Sequence, residues 1–123
     1  MNFESLLLSV EKPSRYIGGE VNAVHKNHGS CRLSFAFAFP DTYEVGMSHL
    51  GLQILYAILN GMPGVVAERC FAPWPDMESR MRQAGIALAS LESHTPLDRF
   101  DLIGFSLQYE LSYTNVLNML DLA

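Results

Sequence analysis

The chain has 123 residues, enough for one domain, and 49% of them are hydrophobic, so it can bury a core. Its formal charge is -5 with only eight Lys and Arg and no basic cluster, which makes nucleic acid a poor candidate partner. No apolar run approaches the ~20 residues that span a bilayer, and the first residues lack the positive start of a signal peptide. We therefore expect a cytoplasmic protein with no membrane partner.

The first 29 residues predict a short helix followed by an irregular lead-in. Residues 4–11 have a helical apolar pattern that Pro13 ends. Beyond Pro13, glycines and polar residues predict turns, with one short extended piece at 20–26. We place the start of an α/β domain at residue 30, so that the domain spans 30–123.

Strands and helices alternate through this domain. Alternating bulky and small residues predict a Phe-rich strand at 32–40, and leucines at helical spacing predict a helix at 48–61 capped by Ser48. Pro75 and Gly85 fit the first turn and the end of a second helix. The other predicted elements are strands at 64–71, 86–90 and 101–107, a helical turn at 95–100 capped by Thr95, and a last helix from Leu111 whose apolar face is Leu111, Val116, Leu117 and Leu120.

This alternation predicts a three-layer, doubly wound parallel sheet of the Rossmann-like α/β class. Short right-handed crossovers give the strand order 86–90, 64–70, 32–39, 101–107. The switch point, where ligands bind in such sheets, then lies between the last two strands of that order.

The same arrangement predicts how far apart the two cysteines lie. Cys31 opens one predicted strand and Cys70 closes a parallel neighbour, so the two thiols lie too far apart for a disulfide. We expect both to be free, as in a reducing compartment.

The last predicted helix runs to Ala123 with no capping glycine, whereas a doubly wound sheet normally carries further strands. We therefore expect a sheet truncated at its C-terminal side, in the first part of a longer protein. Strand 101–107 would then have an open edge, which predicts self-association as a two-fold homodimer.

The loops that follow the predicted strands carry a candidate site, because parallel strands point their carboxyl ends at one edge of the sheet. The loop GMSHLG has the glycine spacing of a phosphate-binding loop, but Leu52 and Gln53 replace its Lys and Ser/Thr. Its glycines either permit tight packing or let a ligand approach, and Trp74 is either a lid or a ligand contact. We predict no catalytic and no metal-binding residue here. The candidate binding residues are Asp41, Tyr43, Gly46, His49, Gly51, Trp74, Ser106, Gln108 and Tyr109.

Several long segments resemble the N-terminal part of a family of radical S-adenosylmethionine proteins: FPDTYEVGMSHLGLQILYAILN, ERCFAPWPDME and FDLIGFSLQYELSYTNVLNMLDLA. In that family a cobalamin-binding-type domain precedes the catalytic barrel. The resemblance covers about Pro13 to Ala123, and it implies that 30–123 is such a domain, with cobalamin as its candidate cofactor. The family's iron–sulfur cluster and S-adenosylmethionine need a CxxxCxxC triad, which this chain lacks. They are expected in a catalytic barrel of the same polypeptide, which would be the main partner.

Three hypotheses for the function remain open. The leading one is a non-catalytic N-terminal domain that binds a cofactor or covers the substrate of a radical S-adenosylmethionine enzyme. The second is a cofactor-free module of the same fold that docks onto the barrel or another subunit. The third is a stand-alone small-molecule enzyme that uses Asp41, Glu44 or His49 as acid and base groups.

His49 decides what kind of cobalamin site is expected. Many cobalamin domains carry a DxHxxG motif, but Met47 and Leu52 stand where its Asp and Gly are needed. Without that Asp, nothing nearby in the sequence orients the imidazole. We predict weak cobalamin binding at most, with His49 capping the turn or lining a crevice with Tyr43 and Trp74 instead of serving as the axial ligand.

Overall fold

The computed structural model describes residues 2–123 and contains one three-stranded parallel sheet. The strands are β1 (Leu33–Phe39), β2 (Val65–Phe71) and β3 (Leu102–Phe105), in the order β2-β1-β3. In the centre, Phe35 of β1 lies opposite Ala67 on one side and Leu102 on the other. The predicted α/β class is confirmed, as are the order and parallel pairing of these three strands.

Helices flank both faces of the sheet and produce the three predicted layers. In chain order the α-helices are α1 (Phe3–Leu7), α2 (Tyr43–Met47), α3 (Leu50–Asn60), α4 (Pro75–Ala84) and α5 (Tyr113–Leu122), and 3₁₀ turns lie at Pro13–Tyr16, His28–Ser30, Leu97–Arg99 and Glu110–Ser112.

The alternation of large and small side chains in β1 separates two apolar cores. Phe37 packs with Leu52 of α3 on one face of the sheet, whereas Ala36 and Ala38 face α1, α4 and α5 on the other, beside Met119. Burying a Phe side chain contributes roughly 1.5–3 kcal/mol, so the Phe-rich face anchors α3 strongly. The alanines leave room for long methionine side chains on the opposite face.

Helix α4 forms where the sequence places it. Pro75 occupies its first turn, where a missing N–H costs nothing, and Gly85 ends it in the left-handed conformation with φ 64°.

The predicted strand at 86–90 is wrong. Its backbone groups are engaged elsewhere: Leu88 N–H donates to the carbonyl of Leu122, and Ser90 N–H donates to that of Thr95. Only an isolated antiparallel bridge joins Ala89 to Pro96. The segment therefore folds back on itself beside β2 and does not become a fourth strand.

Side chains replace that strand along the outer edge of β2. The side-chain amide of Asn60 donates to the carbonyl of Ala67 at 2.9 Å and accepts from its N–H at 3.0 Å. At Arg69 the backbone N–H donates to the carboxylate of Glu92 at 2.8 Å, and the carbonyl accepts from Leu91 N–H at 2.7 Å. These outward-facing groups are paired without a neighbouring strand, as buried backbone requires.

The predicted helix at 48–61 is interrupted before residue 50, and its predicted cap is wrong. Ser48 ends α2, while the Nδ1 atom of His49 accepts a hydrogen bond from Leu52 N–H at 3.1 Å and caps α3. An imidazole nitrogen meets the same need as a Ser hydroxyl, namely an acceptor for a free N–H of the first turn.

The apolar face predicted for the last helix is also wrong. Met119 and Leu122 are buried against the sheet, whereas Leu111, Leu117 and Leu120 are exposed. Strand β3 is also shorter than the predicted 101–107, and its residues are exposed or only partly buried.

Three smaller predictions differ from the structure. Helix α1 ends at Leu7 instead of residue 11, and 20–26 forms turns and irregular chain without a strand. Thr95 does not cap the turn at Leu97–Arg99, which has no side-chain cap.

Cys31 and Cys70 are free thiols, as predicted, and Cys70 is buried in β2. Burial raises the pKa of the Cys70 thiol well above its ordinary value, so this group is unreactive in the folded protein. Among residues 2–123, no helix has the length and apolar character that crossing a bilayer requires.

Gly46 tests how tightly α2 packs on the sheet. A Cβ atom at this position would lie 2.1 Å from the ring of Phe71, so Gly46→Ala forces ring and helix apart. We expect a loss of about 1–3 kcal/mol in the free energy of unfolding, measured by urea denaturation. Gly19→Ala is the matched control, because no atom lies within 4 Å of the added group. Equal stability of the two variants would contradict this packing.

Candidate functional site

Five of the nine sequence-predicted residues fall into two groups at the carboxyl ends of the strands, whereas Asp41, Gly46, Gln108 and Tyr109 belong to neither. One group lines a crevice of about 260 Å³ between α3 and β3, which we call the switch-point crevice. The other surrounds a cavity of about 40 Å³ beyond the end of β2. The crevice is lined by His49, Gly51 and Ser106 together with Phe37, Leu52, Leu55, Gly104 and Phe105.

His49 forms one wall of the switch-point crevice. Its ring packs against Phe39 with the centroids 5.1 Å apart, and its Nδ1 atom caps α3. Gly51 makes room for this ring, because a Cβ atom there would lie 3.0 Å from Cε1 of His49. The spacing of the two glycines in the loop GMSHLG therefore serves packing: Gly46 against Phe71 and Gly51 against the imidazole.

Ser106 forms part of the opposite wall. Its backbone N–H donates to the carbonyl of Ala38 and so prolongs the β1–β3 pairing by one residue. Its hydroxyl accepts from the amide of Gln108 at 2.6 Å. Gln108 and Tyr109 are exposed and do not line the crevice. The crevice is thus lined mainly by apolar groups, with His49 and Ser106 as its polar side chains.

The small cavity beyond β2 is lined by Tyr43 and Trp74, which the structure separates from the crevice. At about 40 Å³ it has room for a water molecule but not for an organic ligand. The Trp74 ring is 42% exposed and stacks under the guanidinium of Arg15, 4.8 Å from the ring centroid. This stacking supports the lid alternative for Trp74, because the ring rests on the lead-in at the cavity mouth.

The remaining predicted polar groups have structural contacts. Asp41 accepts from the N–H of Thr42 at 2.7 Å, and Glu44 pairs with Arg15 at 2.8 Å. The hydrogen bond from Arg15 holds the pKa of Glu44 below its ordinary value. These carboxylates do not line the crevice, so they are not placed to exchange protons with a ligand there.

Sequence reasoning missed a buried charged cluster centred on Arg69. The Arg69 side chain is fully buried and donates from Nε to Glu92 at 2.7 Å, and its guanidinium lies 4.2 Å from the ring centroid of Tyr56. Tyr43 donates to Glu20 at 2.7 Å beside the same guanidinium. Burial, reinforced by the hydrogen bond to Glu20, raises the pKa of Tyr43 to about 12, so its hydroxyl stays protonated and donates a hydrogen bond.

One pair of atoms in this cluster is incompletely satisfied. Arg69 Nη2 and Glu20 Oε2 are both buried without a hydrogen-bond partner among the described residues, and they lie 3.9 Å apart. Opposite charges at this distance attract in a buried site, although the geometry falls short of a hydrogen bond.

A second missed cluster lies on the other face of β2, around Glu68. Its carboxylate accepts from Ser90 at 2.5 Å and from Ser93 at 2.6 Å, and it contacts His28 Nε2 at 2.7 Å. The sequence does carry a sign of both clusters. Glu68 and Arg69 interrupt an otherwise apolar strand, and buried charges need partners on each face.

The two cysteines cannot supply a three-thiolate ligand set, and within residues 2–123 no group of three His, Cys, Asp or Glu side chains is placed to hold a metal ion. The prediction of no metal site in this chain stays a prediction.

Residues 51–123 match the model of a family described as the N-terminal region of radical SAM proteins. The match covers more than half of the chain, from α3 to the end of α5. The chain belongs to this family. Comparisons with curated proteins and with solved structures give no match.

Part of the candidate site of this radical SAM N-terminal domain lies within the segment that matches the family. Gly51, Trp74, Ser106, Gln108 and Tyr109 lie inside the matched segment, whereas residues 46–50 of the GMSHLG loop precede it. The crevice is therefore built from both the matched segment and the preceding β1 strand.

Breaking the Arg69–Glu92 pair should destabilise the radical SAM N-terminal domain severely. Glu92→Gln keeps the shape of the side chain but leaves the buried guanidinium with only the more distant carboxylate of Glu20, at 3.9 Å, as a counter-charge. We expect a loss of about 3–5 kcal/mol in urea unfolding. Arg82→Met is the control, because Arg82 pairs with Glu78 and Asp121 at the surface. A comparable loss in both variants would show that burial of the pair is not decisive.

Glu68 should make the stability depend on pH in the acid range. Burial by itself raises the pKa of Glu68, but hydrogen bonds from Ser90 and Ser93 and the contact with His28 outweigh it, so the pKa is lowered. A lowered pKa contributes stability above the unfolded value of about 4.3, and this stability is lost as pH falls through the folded value. Between pH 5 and about 3, unfolding free energy should fall more steeply in the wild type than in Glu68→Gln. Parallel curves would contradict the ionised cluster.

Proposed function

We propose that this chain is a non-catalytic N-terminal domain of a radical S-adenosylmethionine enzyme, and that the switch-point crevice covers the substrate or cofactor of the catalytic part. The crevice carries this proposal. It lies at the carboxyl ends of β1 and β3, where ligands of open parallel sheets bind. Its volume of about 260 Å³ is below the ~300–1,000 Å³ of a complete small-molecule pocket. A surface of this size covers part of a ligand that another domain holds.

The chemistry of the enzyme belongs outside this chain. The resemblance implies an iron–sulfur cluster on three cysteines, and the chain has two, of which Cys70 is buried in β2. Cluster and S-adenosylmethionine are therefore assigned to the catalytic part, and this domain supplies shape and water exclusion.

Histidine-ligated cobalamin does not fit the crevice. His49 Nδ1 is already the acceptor for Leu52 N–H, and the ring is held between Phe39 and Gly51. Met47 stands where an orienting Asp is needed, and its thioether cannot accept strongly from an imidazole. We therefore derive no step through cobalamin and assign His49 to the crevice wall.

A stand-alone enzyme is not favoured by the geometry. Of Asp41, Glu44 and His49, only His49 lines the crevice, and each already has a structural partner. No two of them share a ligand position, so acid and base groups do not converge.

The docking hypothesis is favoured by a different observation. Large apolar side chains are exposed along β3 and α5, including Leu102, Leu117 and Leu120. Such a surface suits contact with another protein domain, with or without a cofactor. Docking and covering are compatible, since a covering domain must rest on the domain that it covers.

The proposed function is tested with hydroxocobalamin and S-adenosylmethionine as probes. Titration of the chain with hydroxocobalamin should give the same spectrum for the wild type and for His49→Ala, because the imidazole does not coordinate. A histidine-type spectral shift that is lost in His49→Ala would overturn the assignment of His49 to the crevice wall.

The second arm addresses catalysis. After incubation with iron, sulfide and a reductant, the chain should produce no 5′-deoxyadenosine from S-adenosylmethionine. Formation of 5′-deoxyadenosine would show that this domain is catalytic by itself.

A further inference from the structure

The switch-point crevice has two polar side chains, and each is already engaged in a contact within the chain. His49 and Ser106 lie on its opposite walls, and the other lining residues carry apolar side chains or none. The hydrogen bonds that a ligand can form with side chains here therefore depend on the donors and acceptors that these two groups still have free.

The cap of α3 determines which ring nitrogen of His49 carries hydrogen. Nδ1 accepts a hydrogen bond from Leu52 N–H at 3.1 Å. A ring nitrogen accepts only when it carries no hydrogen, so the ring hydrogen lies on Nε2. Nε2 has no partner among the described residues, and it is not one of the buried atoms that lack a partner. Because the ring lines the crevice, His49 offers a free donor there.

Ser106 offers a second donor. Its Oγ atom accepts from the side-chain amide of Gln108 at 2.6 Å, and the hydroxyl hydrogen has no acceptor among the described residues. The position of this hydroxyl is well defined, because the backbone N–H of the same residue donates to the carbonyl of Ala38. The hydroxyl hydrogen can therefore be given to a ligand without breaking an existing contact.

Acceptors are scarce among the lining side chains. No carboxylate lines the crevice, since Asp41 and Glu44 both lie outside it. The remaining lone pair of Ser106 is the one side-chain acceptor left, against two free donors. A ligand N–H that enters the apolar part would lose its bond to water without a replacement, which costs free energy. The lining therefore favours ligands that accept hydrogen bonds.

We infer that the switch-point crevice takes a small apolar group that carries a carbonyl oxygen, which accepts hydrogen bonds from His49 Nε2 and Ser106 Oγ. This inference rests on the proposed function, because it names the chemistry of the ligand that the same crevice covers. The size agrees with it. An apolar cavity of about 150 Å³ binds benzene, so a crevice of about 260 Å³ accommodates a substituted benzene ring. Phe37, Leu52 and Leu55 supply the apolar surface for that ring.

Two probes of matched shape test the preference for an acceptor. Acetophenone carries a carbonyl where α-methylstyrene carries a CH₂ group on the same double bond. Each is titrated into the ¹⁵N-labelled chain, and the amide signals of Gly51, Leu55 and Ser106 are followed by NMR. Acetophenone should bind roughly 5- to 10-fold more tightly, as expected from one or two additional hydrogen bonds.

The outcomes of this titration separate the ligand class from the covering role. Equal affinity for the two probes would overturn the ligand class and leave the crevice as a covering surface. If neither probe shifted the amide signals of the crevice, the crevice would not be a ligand surface, and the proposed function would fail with it.

Variants of the two donors identify the groups responsible. His49→Asp keeps an acceptor that can cap α3 but removes the Nε2 donor, so the preference for acetophenone should disappear. Ser106→Ala should reduce the preference in part. Ser48→Ala is the matched control, because that hydroxyl donates to the carbonyl of Glu44 outside the crevice. A preference unchanged in both His49→Asp and Ser106→Ala would show that these donors are not used.

The tautomer of His49 gives a readout in the wild type that does not depend on a variant. A long-range ¹H–¹⁵N spectrum should show hydrogen on Nε2 and none on Nδ1. On addition of acetophenone the Nε2 signal should shift, whereas Nδ1, which stays bonded to Leu52 N–H, should change little. Hydrogen on Nδ1 in the free chain would contradict the inference, because Nε2 would then be an acceptor.

Discussion

The structure depends on a charge buried on an edge strand of the sheet. Arg69 is fully buried, and its guanidinium requires an acid, an aromatic face and polar side chains around it. Glu92 comes from the loop after α4, Tyr56 from α3 and Glu20 from the lead-in. One strand residue thus contacts a helix, a loop and the lead-in, which are far apart in the sequence. The chain after α4 forms a loop that brings Glu92 to the edge of β2.

The partners on the two faces of β2 offset the free-energy cost of burying charged side chains. Glu68 and Arg69 are neighbours in the chain, but their side chains point to opposite faces. Each therefore has its own partners, serines and His28 for the acid, Glu92 for the base. Such groups stabilise the fold less than an apolar core of the same volume would, but they restrict which loops can close the edge.

The sequence predicted what depends on local pattern and missed what depends on contacts distant in the chain. The strand order and α4 follow from the Phe-rich alternation and from the positions of Pro75 and Gly85. The strand predicted at 86–90 was wrong because a short apolar run suits a strand and a packed loop equally well. What decides between them is the hydrogen bond from Leu88 N–H to the carbonyl of Leu122, which is distant in the chain. The candidate site shows the same limit. The carboxyl-end rule found His49 and Ser106, but not that Tyr43 and Trp74 line a separate cavity.

The irregular lead-in has a consequence for where this domain begins. Lys26 donates to the carbonyls of Asn60 and Val65. The backbone N–H of Val24 donates to the hydroxyl of Tyr56, and His28 contacts Glu68. In energetic terms these residues are part of the cooperative unit, although secondary structure would place the boundary just before β1. A shortened chain that starts at residue 30 would keep all three strands and lose the groups that seal one side of them. The smallest piece able to fold is therefore defined by hydrogen bonds to the sheet and not by the first strand.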